Sequence, residues 1–164
     1  MNEVYYEVMV AKKPSAVMKV LQIVATSMTV VCALAMFIGM LWSLVLAVVF
    51  GATAYLLKLF NHVEYEYLYI DKELQIDRIL AKNSRKRMET LDLKEVEVLA
   101  PIRSHELDRY RNSNVKAKDY SSGAGGNDAL KYMLVVKDKR IIFEPTEEMV
   151  KTIKMFAPRK VFTY

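Results

Sequence analysis

The sequence predicts an α+β membrane protein: a two-helix transmembrane hairpin, then a mostly antiparallel β-sheet, closed by a C-terminal helix. Three observations carry that prediction. Thirty-eight consecutive residues, Val20 to Leu57, include no charged side chain. Between Val63 and Glu144, short runs alternate apolar and polar residues with the period of a strand. Met149, Val150, Ile153 and Phe156 then recur at helical spacing.

A bilayer's hydrocarbon core is about 30 Å thick, and one helical crossing takes roughly 20 apolar residues. The uncharged run is about twice that length. Gly39-Met40-Leu41-Trp42-Ser43 near its middle supplies a small residue, an interfacial aromatic and a polar residue, which suits a tight reversal. The spans are therefore placed at 20–38 and 42–60. A cleaved signal peptide fits poorly, because its apolar region is about 7–15 residues. Ala33-Leu34-Ala35 has cleavage-site residue types but sits inside the run. Thr29-Val30-Val31 before Cys32 does not match a lipoprotein signal either. A soluble helical hairpin needs polar outer faces, and neither segment has one.

Lys12, Lys13 and Lys19 precede the first span and Lys58 ends the second, while the reversal is uncharged. The positive-inside rule then places both termini in the cytoplasm. Within the spans, Ser43, Ala47 and Gly51 form one stripe of small residues and Ala25, Thr29 and Ala33 another. Such stripes let helix backbones approach closely. They predict packing of the two helices within the chain, with a homodimer seam through Ser43, Ala47 and Gly51 as the alternative. The polar residues in the spans are uncharged, and a transport pathway usually has an ionisable group at depth.

Residues 1–19 form a cytoplasmic N-terminal segment. Val4, Tyr5, Val8 and Met9 have helical spacing and predict a short interfacial helix. Val4, Tyr6, Val8 and Val10 also alternate, so a strand added to the later sheet is the other reading. Pro14 ends either element.

The soluble part, 61–164, opens with Val63, Tyr65, Tyr67 and Tyr69 on one face of a strand. An aromatic stripe of this kind more often forms a sheet's core layer than a ligand platform. Asp71-Lys72-Glu73 turns the chain into a second strand, Leu74 to Leu80. Lys82, Arg85, Lys86 and Arg87 follow as the densest basic cluster, a candidate contact for anionic headgroups beside a solvated strand edge as the plainer reading. Met88 to Pro101 predicts a strand, a bend and another strand. Residues 103–129 hold few large apolar side chains and end in Ser121-Ser122-Gly123-Ala124-Gly125-Gly126, predicting a long flexible loop, with Ser104 able to cap a short helix through Tyr110. Lys131 to Lys137 and Arg140 to Glu144 are strands, and Thr146 caps the final helix, 146–157.

The chemistry of an enzyme is not legible here. Net charge is +5 over 164 residues, and twenty basic against seventeen acidic residues from Asn61 onward give no nucleic-acid signature. His62 and His105 belong to no metal-spaced set, and Cys32 lies mid-span. The glycine tract runs into Asn127-Asp128 where a phosphate loop needs Lys and Ser or Thr. Glu64 and Glu66 share a strand face, as paired acid/base carboxylates do, but read as solvent-facing. No catalytic, cofactor or metal residue is assigned.

Two spans, then antiparallel strands, then one closing helix is an order that resembles bacterial membrane-anchored pleckstrin-homology-like domains, which would make the sheet a partial barrel. The residues that carry it are the hairpin Val63 to Leu80, the strand pair Lys131 to Glu144 and the helix Thr146 to Phe156. The Glu-Tyr-Glu-Tyr stretch (Glu64 to Tyr67), Leu74-Gln75-Ile76-Asp77-Arg78-Ile79 and Arg85-Lys86-Arg87 resemble a family of small two-span bacterial proteins of unknown function. The resemblance implies an inner-membrane location and imports no activity. Inositide binders place basic residues around the first hairpin turn, and Asp71-Lys72-Glu73 departs from that. The function expected is a non-catalytic protein-interaction module with an unidentified protein partner. The alternatives are a sensor of anionic lipid or small ligands, and an accessory subunit of a transport or secretion complex.

Overall fold

A computed structural model describes residues 5–80, 84–111, 115–123 and 126–163. The chain divides into two compact units, one of residues 14–62 and one joining residues 1–13 to 63–164.

The first unit is a pair of helices, α1 (Ala16–Phe37) and α2 (Ser43–Asn61). Ser15 caps α1 by accepting from the Met18 amide at 3.3 Å. Gly39 turns the chain between them at φ +91°, a conformation that favours glycine. At about 1.5 Å per residue the helices are roughly 33 and 28 Å long, enough in length and apolarity to cross a bilayer. Their shared seam is narrow: Ala25 and Cys32 on α1 and Ser43 on α2 are buried. Thr29 meets Gly51, where an added Cβ would lie 3.5 Å from the Thr29 methyl. Of the predicted stripes, Ser43, Ala47 and Gly51 thus line the seam within the chain, but Ala33 is exposed and Cys32 takes its place. The base is tied by Asn61 Nδ2 donating to Gln22 Oε1 at 2.9 Å. Ile23, Val31, Leu34, Leu44, Val48 and other large apolar side chains stay uncovered.

The second unit holds two four-stranded sheets. Sheet one runs in the order β1 (Tyr5–Ala11), β2 (Val63–Ile70), β3 (Glu73–Leu80), β4 (Ser84–Asp92), antiparallel throughout. Sheet two contains β5 (Val96–Pro101), β6 (Lys118–Asp119), β7 (Tyr132–Val136) and β8 (Lys139–Phe143) in the order β5-β7-β8-β6. Only β6 runs parallel to its neighbour. A short helix, α3 (Asp108–Arg111), precedes β6, and α4 (Glu147–Phe156) ends the fold. No strand ladder joins the two sheets among the described residues, so the partial barrel expected from the sequence is two separate sheets.

The N-terminal segment is a strand, not the interfacial helix. Tyr5–Ala11 pairs in register with Ile70–Glu64. The reason is packing: alternation sends Tyr6, Val8 and Val10 onto the same core as the tyrosines of β2, where a helix would scatter them. The two-sheet unit is therefore split in sequence, with both helices inserted between its first two strands.

The tyrosine stripe is a core layer. Tyr67 is fully buried and meets Phe143 edge-on at 5.5 Å between ring centres. Its hydroxyl donates to the Tyr120 carbonyl at 2.6 Å, satisfying the buried polar tip. Tyr65 stands edge-on to Tyr120 at 5.4 Å. Met149, Val150 and Ile153 seat α4 on this core, and Thr146 caps it by accepting from Met149 at 3.3 Å.

The stretch 103–129 is built, not loose, over its described residues. Ser104 caps a 3-10 turn at His105–Leu107 that leads into α3. Leu107 is fully buried in a small cluster with Val98 and Val135. Ser121, Ser122 and Gly123 are buried. The Ser122 amide and hydroxyl both donate to Glu144 Oε1, at 3.1 and 2.6 Å, while its carbonyl accepts from the Lys13 amide at 3.0 Å. Lys131 Nζ donates to the Gly123 carbonyl at 2.9 Å and pairs with Asp128 at 2.8 Å. Ala124 and Gly125 lie outside the described residues.

Gly126 sits where an added Cβ would come within 1.8 Å of Ser122 Oγ. That hydroxyl cannot move without losing Glu144. We expect Gly126→Ala to destabilise the protein by about 1–3 kcal/mol, read as a lowered midpoint in denaturant titration of the detergent-solubilised chain.

Candidate functional site

Strand alternation sends one set of side chains from sheet one into the core and the other set outward. Register places Glu7 of β1, Glu66 of β2, Asp77 of β3 and the arginines of β4 on the outward face. A register shift between Ile76 and Asp77 sets Asp77 opposite Arg87. Arg85 Nε donates to Asp77 Oδ2 at 2.7 Å and Arg87 Nε to Asp77 Oδ1 at 3.2 Å. Arg85 also pairs with Glu66. Glu66 and Asp77 are each about 2% exposed, so these two carboxylates are covered by the arginine side chains rather than facing water. Glu66 is thus buried and paired, where the sequence suggested a solvent-facing carboxylate.

The carboxyls of Glu7 and Glu66 are neighbours and titrate in opposite directions. Burial, and then the Glu7 carboxyl, push Glu66 above the ordinary glutamate range. Tyr5, whose hydroxyl donates to Glu7 Oε2 at 2.6 Å, and then Glu66 hold Glu7 below it. The Asp77 carboxylate in turn raises Arg85. Paired carboxyls of this kind can share a proton, and the Tyr5 hydroxyl is the group that donates to the pair.

Of the predicted headgroup contacts, Arg85, Lys86 and Arg87 sit together on β4 and Lys82 lies outside the described residues. Arg85 and Arg87 hold Asp77 while remaining about half exposed. Lys86 is exposed and makes no ion pair with the described residues. The start of β4, where Arg85 pairs with Ile79, lies at the end of sheet one where β1 finishes and β2 begins, since Val63 pairs with Leu80 and Ala11 with Glu64.

A third buried carboxylate, Glu89, was not singled out by sequence. The register shift turns it inward opposite Ile76, leaving it about 6% exposed. Lys118 Nζ donates to it at 2.5 Å, Lys139 Nζ at 2.8 Å and the Tyr120 hydroxyl at 3.4 Å. It therefore ties sheet one to β6 and β8 of sheet two. Burial favours the neutral acid, yet the two ammonium groups outweigh it and hold Glu89 below the usual glutamate range. Burial and the Glu89 charge push Tyr120 up to about 12. Nothing in Arg87-Met88-Glu89-Thr90-Leu91 marks Glu89 out in the sequence, because a bulge is invisible to alternation. Among the described residues no three metal-ligating groups converge.

Among the described residues β1 is one of the two edges of sheet one, paired only with β2, and β4 is the other. Tyr5 and Met9 stand outward on it, 55% and 58% exposed.

A carboxyl held low in the fold stabilises it above the ordinary glutamate range, and that contribution is lost as pH falls through the folded value. Glu89→Gln should therefore cost about 1–2 kcal/mol at pH 7. The difference from wild type should close as pH drops below roughly 4, followed by denaturant midpoints across pH.

Comparison with known proteins agrees with this architecture. Residues 2–163 match the family described as a bacterial PH-like domain (DUF6106), so the match takes in β1, both long helices, both sheets and α4. Neither the curated proteins nor the solved structures yield a match to the chain. A split two-sheet unit with a closing helix, matched from its second residue almost to its last, places the chain in one family: it belongs to the bacterial PH-like domains of unknown function.

Proposed function

We propose that this protein is a membrane-anchored, non-catalytic interaction module of the inner membrane. In this reading α1 and α2 cross the bilayer as a hairpin, and the PH-like unit faces the cytoplasm. A protein partner docks by adding a strand to the free edge of β1. The observation that carries the reading is that edge. Seven residues, Tyr5–Ala11, present one side of their backbone to no described neighbour. Natural proteins blunt edge strands with proline, lysine or a bulge. Here the run Tyr-Tyr-Glu-Val-Met-Val-Ala has neither residue type, its pairing with β2 is unshifted, and it adds two exposed apolar side chains. The membrane part of the reading rests on the length and apolarity of the two helices and on Lys12, Lys13, Lys19 and Lys58 at their ends.

A second reading, contact of the basic cluster with anionic headgroups, is favoured by exposed Lys86 and by the cluster's place at the sheet end from which the chain leads to the helices.

Tagged full-length protein drawn from gently solubilised native membranes should carry a stoichiometric partner. Met9→Lys, at an exposed position, should reduce recovery about tenfold or more. A partner retained undiminished by Met9→Lys would remove the β1 edge. No partner, with anionic lipid enriched, would move the assignment to the headgroup reading.

The orientation is checked separately. In a Cys32→Ser background, Lys12→Cys should resist a membrane-impermeant maleimide added to intact cells, and Trp42→Cys should react.

A further inference from the structure

We propose that a basic groove at the far end of sheet one binds a soluble phosphorylated ligand that carries an apolar body. The groove, about 450 Å³, lies where the β2–β3 turn, the 3-10 turn Leu93–Glu95 and the chain after α4 meet. Four cations rim it, Lys72, Lys94, Arg159 and Lys160, and half-buried Phe156 and Ala157 with exposed Pro158 give it an apolar wall. Its size falls in the range of small-molecule sites, and no carboxylate lines it.

The four cations are uncommitted: none forms an ion pair with the described residues. The nearest acids face other work. Asp92 Oδ1 accepts from the Lys94 amide at 2.9 Å, and Glu95 pairs with Lys137 at 2.7 Å. Asp71 and Glu73 flank Lys72 without pairing with it, so four like charges remain unneutralised by any ion pair among the described residues, and a polyanion relieves their repulsion.

Their backbones are fixed in advance. The Lys72 carbonyl accepts from the Leu93 amide at 2.8 Å. The Lys160 carbonyl accepts from Leu99 at 2.8 Å, and its amide donates to Ala157 at 3.0 Å. Asp71 and Lys72 hold φ of +44° and +67°, the left-handed region where a tight hairpin turn usually carries asparagine and glycine. Lysine stands there against its own backbone preference, a strain of the kind found at ligand clamps.

A groove of about 450 Å³ suits a small soluble molecule as the source of the phosphate. The turn at Lys72 closes β2 at the opposite end from Val63, where the chain arrives from the helices. An eight-residue strand spans roughly 25 Å. The plainer role for Arg159 and Lys160, complementing the C-terminal end of α4, leaves Lys72 and Lys94 unexplained.

The test is calorimetric titration of full-length protein in phosphatidylcholine nanodiscs, at about 0.15 M salt, with pyrophosphate, ATP and adenosine. Pyrophosphate and ATP should bind saturably, ATP the tighter, and adenosine should not bind. The pair Lys94→Glu with Arg159→Glu should weaken both anions about tenfold or more, and Lys116→Glu, away from the groove, should not. Amide shifts at Lys72, Lys94 and Lys160 on adding ATP to unmodified protein give the same answer without a variant. Absence of saturation, equal loss in Lys116→Glu, or unmoved amides would overturn the site. ATP no tighter than pyrophosphate would overturn the apolar body. ATP binding abolished in phosphatidylglycerol nanodiscs would overturn the soluble source in favour of a headgroup. Weaker thermal stability of the double variant with unchanged ATP affinity would reduce the cations to their structural role.

Discussion

The pairing of β1 with β2 is the constraint on which the two-sheet unit depends. Ala11 faces Glu64 across one ladder step although 53 positions separate them in the chain. Closing a flexible connection of that length would cost roughly 3–4 kcal/mol in chain entropy. Two antiparallel helices of similar length return the chain beside its point of departure, so the connection is already folded when the strands meet. Tyr6, Val8 and Val10 then complete a core layer that Tyr65, Tyr67 and Tyr69 alone would leave open on one side.

Charge does the complementary task on surfaces the hydrophobic core does not reach. Asp77 joins β3 to two arginines of β4, Arg85 carries the chain of contacts on to Glu66 of β2, and Glu66 meets Glu7 of β1. Each strand of sheet one thus contributes to one polar lattice. Buried ion pairs are weak sources of net stability, since desolvation opposes attraction. Their effect is on register: slipping one strand by a residue would turn these carboxylates to the tyrosine face. Glu89 performs the equivalent role between sheets, where no backbone ladder among the described residues could.

Much of this was legible in the amino-acid order. The two helices follow from an uncharged run, and their observed bounds, 16–37 and 43–61, differ from those inferred by a few residues because charged Lys19 and polar Asn61 extend them. β2, β3, β7, β8 and α4 follow from periodicity, and the bend between β4 and β5 from Asp92 and its capping of Lys94. Residues 5–11 satisfy both helical and strand spacing, and only a partner more than fifty positions away decides between them. The serine and glycine tract misleads for a related reason. Its residues are small and polar, as in a flexible linker, yet Glu144, Lys13 and Lys131 reach it from distant points and bury it. Of the basic cluster, sequence shows the charge and hides the carboxylates that two of its arginines cover.

The split order of the two-sheet unit has a consequence for how the protein is made. β1 leaves the ribosome about fifty residues before β2, a delay of roughly 3–10 seconds at ordinary rates of synthesis. Throughout that interval its apolar row has no sheet to join, while the helical segment is still being made. The two-sheet unit can begin to close only once that segment has been made. Synthesis of the helices and closure of the sheets are therefore serial steps of one process, and a stall between them would leave an adhesive strand stranded on the nascent chain.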